Sequence, residues 1–465
     1  MSNPTYYQQS EAVQRTTSQL IREEYLPEIP EMIWKVGSPT NRLFRPSSKI
    51  AHAANQGLIE RVITGRANSG RATRTLLADF KKGRRSTADR INIRLNYDDP
   101  SANDFTSIES STALPWYDFT SSGADASMQV LERAQADVFD SIDYTTSVLM
   151  HSDSTGAIGL INGTPKLGYD DELTFAGADT YASGSEASFP VDGHTIGVFK
   201  ENVYLDFYSA AGALLADEVR IVAINYEEKS MSVALSEDST VANLDNLADN
   251  AVIYLAGTYG AGFKCAFAEM FKTTYASDSW VGGVDRGAAD KKHWVPIRTR
   301  MSASSAPMQK SYLDDACRAI GYRTSEAEGE SPVFIAGSEI IDNLRSDIGD
   351  AAISTESVND RGTYTIGELA VGYQHPVVGR INMVGDYTAK NSVGYMVFPE
   401  DMTVFHAEVV GPVVMSEGTS GKGFERVEGS ESNSGGSKFY KLEVMDQKCP
   451  FFTRINRSAG VFNIE

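Results

Sequence analysis

Between residues 124 and 150, Met128, Leu131, Val138, Ile142 and Leu149 recur at 3-, 4- and 7-residue intervals, with Phe139 widening the stripe. That spacing predicts one amphipathic helix. At ~1.5 Å per residue it would run about 40 Å, longer than most helices of globular domains. Ser122 or Asp125 can cap its start, and Glu132, Arg133 and Asp137 lie off the stripe. The stripe itself is read as core packing. Any fold for this chain has to accommodate that helix.

Charge is the second constraint, through its distribution. The formal net charge is −20, which argues against a conventional nucleic-acid binder. Yet residues 61–94 hold ten basic residues (Arg61, Arg66, Arg71, Arg74, Lys81, Lys82, Arg84, Arg85, Arg90 and Arg94) against Asp79 and Asp89. From residue 95 onward there are 26 basic and 54 acidic residues, a local net of −28. One reading is a solvated basic face on a protein kept soluble by its acidic surface. The other sets the basic segment of one copy on the acidic body of the next, a head-to-tail association that closes into rings or shells.

At 465 residues and 41% hydrophobic, the chain is long enough for about three domains and has the apolar matter for a real core. Residues 1–46 read as an arm: a short helix over 11–25, then Pro27, Pro30, Pro39 and Pro46. Residues 47–122 read as a basic helical segment, with helices at 48–64 and 69–82, leading into an extended β excursion. Within it, 90–97 alternates strictly: Ile91, Ile93, Leu95 and Tyr97 on one face, Arg90, Asn92, Arg94 and Asn96 on the other. Asp98-Asp99-Pro100 turns the chain, and 114–119, with Trp116 and Phe119, is expected to return as its partner strand. Residues 123–188 hold the long helix and the start of a core. Residues 189–257 read as a β-rich, barrel-like insertion with strands at 195–199, 203–208, 218–224, 231–235 and 252–256. The remainder, 258–465, mixes α and β: helices at 311–320 and 338–348, and strands at 333–336, 377–384, 393–398, 403–407, 409–415, 438–445 and 450–455. The stretch 416–437, with six Gly and six Ser, reads as a loop with one short strand at 424–427.

Patterns that carry chemistry are missing. Cys265, Cys317 and Cys449 are odd in number and far apart, so no disulfide framework or metal spacing is expected, and Cys317 and Cys265 read as small core residues. No serine has both glycines of a nucleophile elbow. Gly418-Thr-Ser-Gly-Lys422-Gly423 lacks the upstream glycine and following Ser or Thr of a phosphate loop. The six histidines stand singly; His151, at the end of the long helix, is explained by the dipole there. Asp98, Asp99, Asn103 and Asp104 lack the glycine and terminal acid of a calcium loop, and read as a plain turn. No catalytic, metal-binding or cofactor-binding residue is expected, and the chain reads as a non-enzyme. The first twenty residues lack the apolar core of a signal peptide, and no apolar stretch reaches bilayer length, so no membrane association is expected.

The order of these parts resembles the major capsid protein of tailed double-stranded DNA bacteriophages, the Hong Kong 97-type fold. The excursion over 90–119 runs directly into the helix at 128–150, then Gly159-Leu-Ile-Asn-Gly163, a β insertion, a helix–strand–helix region at 311–348, and closing strands at 438–445 and 450–464. The resemblance covers roughly residues 85–465. It implies an α+β fold with N-terminal arm, extended loop, spine helix, and peripheral and axial domains. It also implies self-assembly as pentamers and hexamers into an icosahedral shell around double-stranded DNA held without sequence specificity, with portal and scaffold proteins as further partners. The chain would then be assembled in the host cytoplasm and reside in the virion capsid, with no cofactor. The implied contacts between subunits are Arg84, Arg85, Arg90, Ile91, Ile93, Arg94, Leu95, Trp116 and Phe119. A nanocompartment shell of the encapsulin type, or a β-rich surface binding protein, are the alternatives.

Overall fold

The computed structural model describes residues 38–51, 57–65, 87–96, 103–115, 124–167, 186–194, 196–236, 238–275, 280–281, 284–287, 294–323, 331–348, 354–355, 371–407, 412–414, 425–428 and 438–464. From the N-terminus run β1 (Arg45–Ala51), β2 (Leu58–Gly65), β3 (Thr87–Ile93) and β4 (Thr106–Pro115), then the helix α1 (Ala124–His151). Next come β5 (Gly159–Ile161), β6 (Lys166–Leu167), β7 (Glu186–Gly193), β8 (Tyr204–Tyr208), β9 (Leu214–Asn225), β10 (Ser230–Leu235) and β11 (Val252–Leu255). The turn α2 (Phe267–Met270) leads to β12 (Trp280–Val281), β13 (Val284–Asp285) and β14 (Ile297–Thr299). Then follow α3 (Lys310–Arg323), β15 (Val333–Ala336), α4 (Ser338–Ile348), β16 (Ser354–Thr355), β17 (Val371–His375), β18 (Gly379–Gly385) and β19 (Val393–Val397). The chain finishes with β20 (Met402–Ala407), β21 (Val413–Val414), β22 (Glu425–Glu428), β23 (Lys438–Phe452) and β24 (Ala459–Phe462).

Two compact units divide these elements. The first comprises Met1–Gly37, Ser107–Thr146 and Gly411–Gln447. Here the early part of β23 carries β4, β21 and β22, with Val413 opposite Met445 and Glu425 opposite Lys441. Gln447 Nε2 donates to Ser107 Oγ at 2.8 Å. The helix α1 begins in this unit, and its spacing is as the sequence predicts: Val138 and Ile142 are buried while Asp137 is exposed.

The second unit comprises Ser38–Thr106, Ser147–Val410 and Lys448–Glu465. A mixed seven-stranded sheet, ordered β14-β24-β19-β15-β18-β17-β16, forms one core. Against it pack Leu313, Cys317 and Ile320 of α3, and Ile340, Ile341 and Leu344 of α4. Both helices show the 3- and 4-residue apolar spacing that fixes a buried face. β15 and α4 fall at 333–336 and 338–348 as the sequence predicts, although Ser338 is the first residue of the helix and the Gly337 carbonyl accepts the Ile341 N–H.

A closed barrel forms the second core of this unit. Its strands follow the order β10-β9-β8-β11-β5-β7, and β10 pairs back onto β7 to close it, while β6 adds to β7 outside the ring. Leu205 and Phe207 point inward from β8, Val219 and Ile221 from β9, Met231 and Val233 from β10. Phe189 and Phe207 meet edge to face at 5.6 Å. Closure gives each of the six ring strands a partner on both sides.

The structure corrects several sequence-based expectations. Residues 48–64 hold β1 and β2 rather than a helix. Leu58, Ile59, Val62 and Ile63 mimic a helical i, i+4 stripe, but the β-branched residues favour a strand. β3 pairs with β2, Leu58 opposite Ile93 and Ile63 opposite Ala88, not with a strand at 114–119. The strand that returns is β4, at 106–115, and its partner is β23. Gly57 precedes β2 with φ +114°, and a Cβ there would stand 2.0 Å from the Ile93 carbonyl oxygen, so only glycine fits. Residues 196–198 make a 3₁₀ turn where a strand was expected. β23 runs unbroken through Pro450, which stays in the ladder opposite Val404. The helices expected at 11–25 and 69–82, and the Gly/Ser-rich stretch except β22, lie outside the described residues.

The barrel's boundary also moves. β5 lies between β11 and β7, with Val252 opposite Leu160 and Ile161 opposite Val191, so residues 159–161 are staves of the barrel. A fragment spanning 156–262 should therefore melt cooperatively with a β-type circular dichroism spectrum. A fragment spanning 189–257 lacks the β11–β5, β5–β7 and β6–β7 pairings and should not. Cooperative melting of the shorter fragment would show that β5 is dispensable.

Candidate functional site

α1 ends at His151, whose ring is fully buried and stacks on Phe267 at 4.9 Å with 12° between planes. Its Nε2 lies 3.3 Å from Asp386 Oδ2 and 3.2 Å from Thr40 Oγ1. The same Oδ2 accepts the hydroxyls of Ser38 and Thr40, and the Thr40 N–H at 3.3 Å. Asp386 Oδ1 accepts the Thr388 N–H at 2.9 Å and its hydroxyl at 2.7 Å. On the helix, Ser147 Oγ accepts the Ser38 N–H at 3.1 Å and Asn41 Nδ2 at 2.6 Å. Burial alone would raise the Asp386 pKa; the His151 ring and the Ser38 and Thr40 hydroxyls outweigh it and hold the carboxyl well below its ordinary range.

Ser, His and Asp in one cluster invite a nucleophilic reading, and the geometry rejects it. A triad needs the serine on one ring nitrogen and the carboxylate on the other. Here Ser38 donates straight to the carboxylate, and Asp386 shares Nε2 with Thr40. Ser38, Thr40, His151 and Asp386 are each 0% exposed, so no substrate atom reaches them. What the cluster can do is mechanical. It ties residues 38–41 to the end of α1 and to the turn after β18.

Sequence reasoning placed His151 at the helix end but missed its partners. Asp386-Tyr387-Thr388 carries the local signal of an Asx turn, which says nothing about a histidine 235 positions away. Of the expected turn, Asn103 and Asp104 are described: Asp104 Oδ2 accepts the Arg94 N–H at 2.9 Å, and Asn103 Oδ1 accepts the Phe105 N–H at 3.2 Å. Asp98, Asp99, His52, His293 and the 418–423 stretch lie outside the described residues. Cys317 is a buried core thiol, its pKa pushed up to about 12 by burial and then by Asp314. Cys265 and Cys449 are buried and free. Among the described residues no three His, Cys, Asp or Glu side chains gather as metal ligands, and no helix is long and apolar enough to cross a membrane.

The residues read as contacts between copies divide three ways. Ile91, Ile93 and Leu95 alternate with exposed Asn92 as expected, but they are 1%, 0% and 2% exposed, covered by their own chain. An apolar face already buried leaves nothing for a neighbour to cover. Arg94 is half-exposed, its Nε 3.6 Å from Asp104 Oδ2. Arg90 lies in β3 opposite Arg61 of β2, two residues of like charge on one rung. Arg84, Arg85, Trp116 and Phe119 lie outside the described residues.

No protein-family model and no curated protein matches the chain. Solved structures similar to it include the cyanophage A-1(L) capsid asymmetric unit, with 10% identity and a TM-score of 0.46 over 93% of this chain and 94% of that one. Gordonia phage Cozz follows at 9% identity and a TM-score of 0.36, covering 95% and 92%. The capsid of a native GTA particle stands at 9% and 0.36, covering 94% and 95%.

Because the Asp386 pKa is depressed in the folded chain, its stabilisation is complete above the unfolded value of about 3.9 and is lost as pH falls through the folded one. Asp386→Asn should cost about 3 kcal/mol near neutral pH, since it breaks a buried charged network. It should also flatten the acid limb of stability, read as urea midpoints between about pH 7 and pH 2. Identical pH dependence in both proteins would remove the carboxylate from this role.

Proposed function

We propose that this chain is the major capsid protein of a tailed double-stranded DNA bacteriophage, assembling as pentamers and hexamers into an icosahedral shell. The observation that carries the reading is the β2–β3 ribbon. It is a two-stranded sheet joined to none of the other sheets among the described residues. Its register sets Arg61 opposite Arg90, within a segment of ten basic and two acidic residues. Like charges on one rung are destabilising. That repulsion is relieved by a surface rich in carboxylates, and residues 95–465 of a sister copy offer 54 acidic residues against 26 basic.

The order of elements supports the same reading: basic ribbon, a 28-residue helix, an inserted barrel, then a mixed sheet with two helices. Contacts between copies need to be individually weak enough to correct errors and collectively strong through multivalency. Arg84, Arg85, Arg90 and Arg94, with Trp116 and Phe119, are the proposed contact residues. DNA held without sequence specificity, portal and scaffold proteins, assembly in the host cytoplasm and residence in the virion belong to this proposal.

Electron microscopy of the purified protein should show closed particles. Replacing Arg84, Arg85 and Arg90 together with glutamate should abolish them while the circular dichroism spectrum stays unchanged; Arg94 is spared because of its bond to Asp104. Particles from that variant, or a monomer at every salt and concentration, would refute the reading. Nucleic acid inside natively produced shells separates a viral capsid from an enzyme-filled compartment.

A further inference from the structure

The barrel presents an outer face with an unusual make-up. Tyr204, Asp206 and Tyr208 point outward from β8, alternating with inward Leu205 and Phe207. The Tyr208 ring lies parallel to Tyr259 at 3.9 Å and 7°, and Tyr254 meets both edge-on at 5.4 and 5.2 Å. Tyr259 is 45% exposed, with Tyr204 and Leu214 similarly open. Tyr254 and Asp206 are buried, so the open part of this aromatic floor is Tyr204, Tyr259 and Leu214, with Tyr208 half-buried.

Carboxylates gather beside it. Glu218 has its pKa raised first by burial, then by Asp206, Asp217 and Asp238. Tyr208 is raised by burial, then by Asp206, Tyr259 and Asp217, which ties the floor to Asp206 and Asp217. Asp206 accepts the N–H groups of Glu218 and Gly257 at 3.0 and 2.8 Å, and Asp217 is bonded to Ser239 and Thr240. The Glu218 and Asp238 side chains are the rim groups left to face a partner. Residues 186–257 hold twelve acidic residues against Lys200, Arg220 and Lys229, and Lys229 is engaged by Glu339 at 2.9 Å.

An aromatic floor with an anionic rim selects cations, above all guanidinium, which stacks on a ring and pairs with carboxylate together. Polyanions are repelled, and a neutral ring compound would leave the mutual repulsion of the acids unrelieved. The complement is in the sequence: residues 61–94, ten basic against two acidic. We propose that the barrel face around Tyr208, Tyr254 and Tyr259, with Glu218 and Asp238, is the docking seat for the basic segment 61–94 of a second copy of this chain. This deepens the shell reading, on which it rests for the meeting of copies, by naming the receiving surface.

Equal amounts of ¹⁴N- and ¹⁵N-labelled full-length chain, mixed and assembled, are treated with a carbodiimide, which joins amine to carboxylate with no spacer. Mass spectrometry should find heavy–light pairs linking Lys81 or Lys82 to carboxylates of 201–249. Their yield should fall about tenfold in Glu218→Lys/Asp238→Lys, and by a similar factor from about 50 to about 500 mM salt. Tyr259→Ala, which leaves every charge in place, should reduce it severalfold with an unchanged melting temperature. Links confined to one label, links solely to carboxylates outside the barrel, or no links overturn the proposal. Micrographs of the same sample report on the shell separately. Heavy–light links without closed particles would uphold the seat and refute the capsid reading.

Discussion

One buried carboxylate organises the second unit. Asp386 is sealed from water, and an ionised group there is tolerated because Ser38, Thr40, His151 and Thr388 supply hydrogen bonds to both oxygens. Those partners come from three distant parts of the chain, so satisfying the charge fixes all three together. Around the cluster the rings of Phe44, Phe267, Phe271, Tyr395 and Phe452 pack at 4.9–6.0 Å. Phe44 follows the tied segment directly, and Phe267 lies on His151 itself. The apolar core supplies most of the burial energy; the carboxylate supplies the register.

Much of this was legible locally and little of it globally. The stripe of α1, the run at β15, the apolar face of α4 and the strict alternation of β3 each depend on neighbours within a few residues, and each stands as the periodicity predicts. What periodicity cannot carry is partnership. Strand β3 could have turned back on any later strand, and its partner proved to be β2, whose Leu58-Ile-Glu-Arg-Val-Ile mimics a helix. The barrel reads from sequence as a block beginning near 189, yet β5 enters from thirty residues upstream. Asp386 is the extreme case, since the meaning of that aspartate lies wholly in a helix end and a segment near the N-terminus.

The treatment of charge separates interior from surface. In the interior each described ion pair is held from several sides. Arg286 donates to the Glu269 carboxylate at 3.1 Å and to its backbone carbonyl at 3.0 Å, and lies 4.6 Å from the Tyr275 ring centroid. Asp401 takes both Arg454 and Arg457, and the Arg457 guanidinium lies 4.2 Å from the Phe398 ring centroid. Removing one partner of such a pair strands a buried charge, which costs about 3–5 kcal/mol. On the barrel the opposite holds, with acidic residues crowded together and few cations among them.

A closed barrel suits that second role. Its six ring strands are paired on both sides, so the face they present to solvent is made of side chains. It meets the seven-stranded core through polar links: Lys229 with Glu339, and the bridge between His194 and Lys390. The core's apolar packing therefore does not depend on what the barrel's outer face carries. A surface relieved of structural duty can hold like charges close together at a cost of a few tenths to a kilocalorie per mole each. Under the docking proposed above, that cost is returned by the cationic partner.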